Sequence, residues 1–142
     1  MLAIIDYGVG NLFSLQCSLK KIGVEAVVTK DADIIKNADR IILPGVGAFG
    51  DAAEKLRATG LVDVIRNEAE SGKPFLGICL GLQLLFEESE ESPGVKGLGI
   101  LPGKIVKIPD QNGTLKIPQI GWNSLGITPG AKLFKGIDNN SY

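Results

Sequence analysis

There is no histidine anywhere in the 142 residues, which removes the commonest general base, the commonest transition-metal ligand and the usual partner of a serine or cysteine nucleophile. Cysteine is scarce as well. Cys17 and Cys79 stand in different contexts, and without a secretory leader each is read as a thiol rather than half of a disulfide. With neither histidine nor a cysteine pair the usual donor set of a zinc-type site is missing, and no metal and no cofactor is expected. No apolar stretch reaches membrane-spanning length, and Leu2 to Ile5 is not preceded by a basic segment, so a cytoplasmic protein is expected. An excess of one charge is absent too: Lys+Arg 15 against Asp+Glu 16 leaves no long-range field to draw nucleic acid or anionic lipid. A neutral metabolite or another protein is the partner class that remains.

What is present is an alternation of short apolar runs and helical patterns. Leu2 to Ile5 precedes a helix from Leu12 to Ile22, and Ala26 to Val28 precedes a loop. Ile41 to Leu43 then precedes a helical stretch from Asp51 to Ser71, and Phe75 to Ile78 a helix from Leu80 to Glu88. This is the signature of βαβ units, an α/β fold with a parallel sheet covered on both faces and ligands at the edge where the βα turns gather. Leu12, Leu15, Leu19 and Ile22 make one stripe, and Gly23 ends that helix. Asp51 reads as a helix N-cap, Leu56, Val62, Ile65 and Ala69 as core, and Gly60 as a break between two helices closed by Gly72. Beyond Glu91, Lys104 to Ile108 and Lys116 to Ile120 read as a β-hairpin turning at Gln111-Asn112-Gly113.

The strongest chemical signal is Gly77-Ile78-Cys79-Leu80-Gly81, where a buried strand runs into a helix. It is the cysteine form of the nucleophile elbow, in which a strained turn thrusts the nucleophile out and flanking glycines let neighbouring segments approach. The sulfur then lies over first-turn N–H groups that favour negative charge, and the Leu80 N–H is available to a developing oxyanion. The competing reading is a buried structural cysteine beside packing glycines. A second signal, Gly45-Val46-Gly47-Ala48-Phe49-Gly50, contains the Gly-x-Gly-x-x-Gly of a dinucleotide site. It follows the third strand instead of the first, Pro44 precedes it and the helix is read to start only at Asp51, so a second oxyanion N–H from Val46 or Gly47 suits it better. Asp6 to Asn11 reads as a βα turn with Asn11 as helix N-cap. Glu87, Glu88, Glu90 and Glu91 read as a solvated helix end.

These segments resemble the glutaminase subunits of imidazole glycerol phosphate synthase, within the flavodoxin-like class I glutamine amidotransferases. The resemblance spans essentially the whole chain and rests on Asp6 to Leu12, Pro44 to Gly50, Gly77 to Glu87 and Pro118 to Asn123. It implies a flavodoxin-like sheet with helices on both faces and one amidotransferase domain over residues 1–142, incomplete at its C-terminus. It also implies hydrolysis of glutamine to glutamate and ammonia, which passes to a cyclase subunit in histidine biosynthesis. By motif match Cys79 attacks the amide, Val46 and Leu80 line the oxyanion hole, and Gly47, Gln83 and Glu91 contact glutamine. Asn11, Ser14, Pro118, Trp122 and Asn123 would face the cyclase, with Cys17 near that surface beside Phe13. Gln119 departs from the family, whose members often carry histidine there. The family's catalytic His and Glu come from a later segment, so these 142 residues alone are expected to be nearly inactive, with an uncovered sheet edge.

Three functions compete: this glutaminase, another elbow-cysteine hydrolase of the same architecture, and a non-catalytic nucleotide-binding module. A diazo ketone analogue of glutamine separates them. The expected outcome, read by peptide mass spectrometry on the intact protein, is alkylation of Cys79 and not of Cys17. Indifference to the reagent favours the second function, and dinucleotide binding that survives Cys79→Ala favours the third.

Overall fold

The computed structural model describes residues 1–110, 113, 114 and 116–141. Two compact units are present, Met1–Lys107 and Ile108–Tyr142. In the first, β1 (Leu2–Ile5), β2 (Ala26–Thr29), β3 (Arg40–Leu43) and β4 (Phe75–Gly77) form a parallel sheet in the order β2-β1-β3-β4. The register sets Leu2 beside both Ala26 and Arg40, and Ile41 beside Phe75. The helices are α1 (Leu12–Lys21), α2 (Ala32–Asn37), α3 (Phe49–Ala58), α4 (Val62–Glu70) and α5 (Leu80–Gln83).

Alternation along the strands sorts the core into two layers. Ala3, Ile5, Ile41 and Leu43 point to one face and pack with Ile35, Phe49, Leu56, Ile65, Leu80 and Leu84 of the helical segments on that side. Leu2, Ile4 and Ile42 point to the other, where Leu12, Leu15 and Leu19 of α1 cover them. The two layers are unequal: α1 buries no residue fully. At the sheet's edge Leu76 of β4 is 43% exposed.

Several boundaries differ from those read in the sequence, each for a physical reason. The loop expected after β2 contains α2, whose cap is the Asp31 carboxylate accepting from the Asp33 and Ile34 N–H groups; six residues are too few to show a helical period. Helix α3 starts at Phe49, ahead of Asp51, and its N-cap position is Ala48. The break at Gly60 (φ 72°) and the stops at Gly23 and Gly72 are where the sequence placed them. Helix α5 ends after Gln83 rather than reaching Glu88. The Leu84, Leu85 and Phe86 carbonyls that would continue it accept instead from the N–H groups of Leu98, Ile100 and Gly99, at 2.7, 2.9 and 3.1 Å.

The hairpin is also replaced. Two short strands, β5 (Glu88–Ser89) and β6 (Lys104–Ile105), pair in parallel, and the described residues of 113–120 carry no strand. Part of the expected turn, Gln111 and Asn112, lies outside the described residues. Pro118 in the second arm has no N–H to give to a ladder, while the Gly103 N–H is taken by the Glu87 carboxylate, which draws the first arm to β5. In the second unit a 3-10 turn at Lys132–Phe134 is accompanied by mutual bonds at Leu125, whose N–H donates to Ser141 and whose carbonyl accepts from Asn140.

Ile65 of α4 is fully buried in the core layer that holds Ile5, Ile41 and Leu43. Ile65→Ala is expected to cost about 2–5 kcal/mol, seen in urea as a lower midpoint with an unchanged slope.

Candidate functional site

Three βα turns of the first unit converge where the chain passes from β1 to β3 to β4. The order β2-β1-β3-β4 reverses direction between β1 and β3, which is where open parallel sheets hold their ligands.

The turn after β4 is the elbow. Cys79 has φ 55° and ψ −119°, a left-handed conformation that costs a non-glycine residue of order 1–3 kcal/mol, and its side chain is exposed. The flanking glycines make this turn possible. A Cβ on Gly81 would lie 2.0 Å from the Leu43 carbonyl oxygen, and one on Gly77 would lie 2.6 Å from the Leu82 Cα. Leu80 opens α5 and is buried. Its N–H has no backbone acceptor among the described residues, whereas the Gly81 N–H is bonded to Ile78. With only four residues α5 has a small dipole, so the local N–H groups are the larger part of any favourable field at the sulfur.

The turn after β3 lies directly against the elbow. A Cβ on Gly45 would come within 2.5 Å of the Gly81 nitrogen, 2.9 Å of the Leu80 Cβ and 2.9 Å of the Tyr7 hydroxyl. Val46, Gly47 and Ala48 follow in the open, Gly47 at φ 91° and Val46 53% exposed. Gly50 lies inside α3, so one objection to the dinucleotide reading falls. A stronger one replaces it: the helix start is occupied, because the Phe49 N–H donates to Glu91 Oε2 and the Gly50 N–H to Ser92 Oγ, both at 2.9 Å. A carboxylate already sits where a pyrophosphate would have to bind.

Of the four acids, Glu87, Glu90 and Glu91 are exposed as expected, but none is on a helix end, since α5 stops at Gln83. Glu87 accepts from the Gly103 N–H and Glu90 from the Lys107 N–H. Glu88 pairs with Lys96 and Lys104, which hold its carboxyl below the usual range, the Lys96 hydrogen bond most of all. Glu91 caps α3. Gly47, Gln83 and Glu91 line one cavity of about 560 Å³, together with Ser89, Glu90 and Lys107. The cavity adjoins the elbow through Gln83, whose N–H donates to the Cys79 carbonyl at 3.2 Å.

The turn after β1 supplies what the sequence did not reveal. Asn11 caps α1 as expected, Oδ1 accepting from the Ser14 N–H at 3.1 Å. Tyr7, unremarked in the sequence, is buried and donates its hydroxyl proton to the Pro44 carbonyl at 2.8 Å, and a Cβ on Gly10 would touch the Pro44 ring. Its one advance signal is an aromatic ahead of two glycines at a strand end. Cys17, Phe13 and Ser14 are exposed on α1. Pro118, Gln119, Trp122 and Asn123 belong to the second unit and are exposed there, Trp122 at 86%. Among the described residues no cluster of three or more His, Cys, Asp or Glu could hold a metal ion.

The class-I glutamine amidotransferase family model matches residues 3–142. Among curated relatives, the imidazole glycerol phosphate synthase subunit HisH of Syntrophotalea carbinolica is 50% identical, over 98% of this chain and 69% of its own. The subunits of the same name from Methanothermobacter thermautotrophicus and Pyrococcus furiosus are each 49% identical, over 69% and 67% of their own lengths. A solved structure described as a glutamine amidotransferase superposes with a TM-score of 0.63 at 24% identity, covering 73% of this chain and 55% of its own. A peptidase E-like protein of Listeria monocytogenes superposes at 0.51 and 15% identity, over 61% of this chain and 49% of its own. Both structural likenesses speak for the fold alone.

Burial pushes the Tyr7 phenol up from 10.0 to about 12. Below pH 10 both folded and unfolded chains keep the proton and the contribution to stability is complete. Between 10 and 12 only the unfolded chain ionises, so stability drains as pH rises. An ultraviolet titration is expected to show one tyrosine ionising near pH 12, absent in Tyr7→Phe.

Proposed function

The chain belongs to the class I glutamine amidotransferase family, and on that footing we propose that it is the glutaminase part of an imidazole glycerol phosphate synthase. In this reading it frees ammonia from glutamine for a cyclase subunit in histidine biosynthesis. The observation that carries the proposal is the elbow itself: an exposed cysteine at φ 55° between two glycines that admit no side chain, with a second glycine turn packed against it.

The chemistry assigned to these residues follows from that placement. The Cys79 sulfur, as thiolate, attacks the γ-carboxamide carbon, and the carbonyl electrons move onto oxygen. That oxyanion is held by the Leu80 N–H and by one from the Val46–Gly47 turn; removing such a donor from an acyl-transfer site costs about 10²–10³ in rate. The C–N bond then breaks, ammonia leaves once its nitrogen is protonated, and a thioester remains on Cys79. Water adds to the thioester through a second oxyanion in the same hole, releasing glutamate and the thiol. No histidine is among the 142 residues, and in this reading the proton transfers are given to the His and Glu that the family carries in a later segment.

Substrate recognition is assigned to the cavity beside the elbow. Its lining includes the acidic residues Glu90 and Glu91 and the basic residue Lys107, the two signs of charge that a zwitterionic amino-acid head group requires. Gly47 lets the turn approach the ligand, and Gln83 offers an amide. The partner surface is assigned to Asn11 and Ser14 on the start of α1 and to Pro118, Trp122 and Asn123, an assignment supported by the exposure of Trp122 and of Ile120 at 87%, apolar area that favours burial against another protein. The reading includes a heterodimer with lyase chemistry at the partner; the relatives' names describe a subunit, which supports an assembly with a further chain. No described helix is long and apolar enough to cross a membrane, and the biosynthetic role proposed places the chain in the cytoplasm.

In the intact protein with its cyclase, Cys79→Ala is expected to lower glutamine-dependent ammonia release by more than about 10³-fold while leaving the fold intact. Release at the wild-type rate from that variant would refute the mechanism.

A further inference from the structure

The turn that supplies the second oxyanion donor is held at both ends by groups outside it. Upstream, the Pro44 ring fixes φ and the Pro44 carbonyl accepts from the buried Tyr7 hydroxyl at 2.8 Å. Gly45 is wedged so closely against Gly81, Leu80 and that hydroxyl that none of the three leaves room for a Cβ. Downstream, the Glu91 carboxylate and the Ser92 hydroxyl hold the N–H groups of Phe49 and Gly50. Between the two holds lie Val46, Gly47 and Ala48, all exposed, and a Cβ on Gly47 would meet nothing within 4 Å. Peptide rotation is thus confined to these residues, and the plane from which it starts is the Pro44–Gly45 peptide.

We propose that Tyr7 is a positioning residue for the glutaminase reaction: by fixing the Pro44 carbonyl, its hydroxyl sets the plane of the turn and so the aim of the Val46–Gly47 N–H donor at the oxyanion. Tyr7 touches neither substrate nor sulfur in this role. The inference rests on the glutaminase reading above and deepens it, since it assigns a residue of the first βα turn to a hole built by the third and fourth strands.

Tyr7→Phe in the intact protein with its cyclase tests it, because the ring that fills the core stays and only the hydroxyl goes. Loss of aim falls short of loss of the donor, so kcat for ammonia release is expected to drop about tenfold, against about 10²–10³ for removing a donor outright. The KM for glutamine should stay within about twofold, the pattern of an interaction made only in the transition state. The γ-aldehyde of glutamate adds the Cys79 thiol across its carbonyl and places the resulting oxygen in the hole, so its affinity should fall by the same factor as kcat. Alkylation of Cys79 by iodoacetamide, which needs no oxyanion donor, should keep its wild-type rate. Unchanged kcat and aldehyde affinity would overturn the proposal. So would a parallel fall of kcat and alkylation rate with a lowered Tm, since that marks general loosening of the elbow. If wild-type protein is indifferent to the aldehyde, the glutaminase reading itself fails, and the positioning role of Tyr7 with it.

Discussion

The site depends on one close approach, that of Gly81 to the carbonyl of Leu43, where no side-chain atom fits. The approach lets the start of α5 lie across the end of β3, so that the strand-to-helix turn after β4 and the glycine turn after β3 share one surface. Everything nearby is arranged around that contact. Gly45 has no Cβ because Gly81 and Leu80 occupy its place, Gly77 has none because Leu82 does, and Cys79 is left with a positive φ and an exposed side chain. The strain at Cys79 is tolerated because the strand before it and the buried Leu80 after it are fixed by the sheet and the core.

A second layer of constraint comes from the residues after α5. Their carbonyls are claimed by the returning segment at Leu98 to Ile100, so the helix stops and the four acids fall beyond it, where the carboxylates of Glu87, Glu90 and Glu91 meet backbone N–H groups and that of Glu88 meets two lysines. Each of those backbone bonds is made to a segment distant in sequence: Gly103, Lys107 and, for Glu91, the first N–H of α3. A carboxylate at a helix start matches both the unpaired donors and the dipole. Glu91 thereby ties the wall of the cavity to the glycine turn, and a residue expected to meet substrate also holds the frame around it.

The parallel sheet, the breaks at Gly23, Gly60 and Gly72, the Asn11 cap and the elbow were legible in the sequence because each is a local pattern: an apolar run, a glycine in a left-handed position, a short side chain bonding its own helix, a spacing around one cysteine. What misled was equally local. Asp51 resembles a cap, but the carboxylate that caps α3 is that of Glu91, 42 residues beyond Phe49. Leu80 to Glu88 has a helical texture, but tertiary hydrogen bonds end the helix at Gln83. Lys104 to Ile108 looks like a hairpin arm, but a carboxylate at Glu87 recruits it to a parallel pair.

The sequence by itself determined the strand and helix alternation, the glycine-flanked turn at Cys79 and the family, since these reside in residue order and spacing. Only the tertiary structure decided which groups hold the glycine turn after β3, that Tyr7 rather than any residue of the turn anchors Pro44, and that Gly47, Gln83 and Glu91 share a cavity. The physical reason is range: those bonds join residues about 40 positions apart, or a hydroxyl to a carbonyl, and neither leaves a periodicity in the chain. Burial in a common core brings such partners to hydrogen-bond distance, and the core exists only once the sheet has formed.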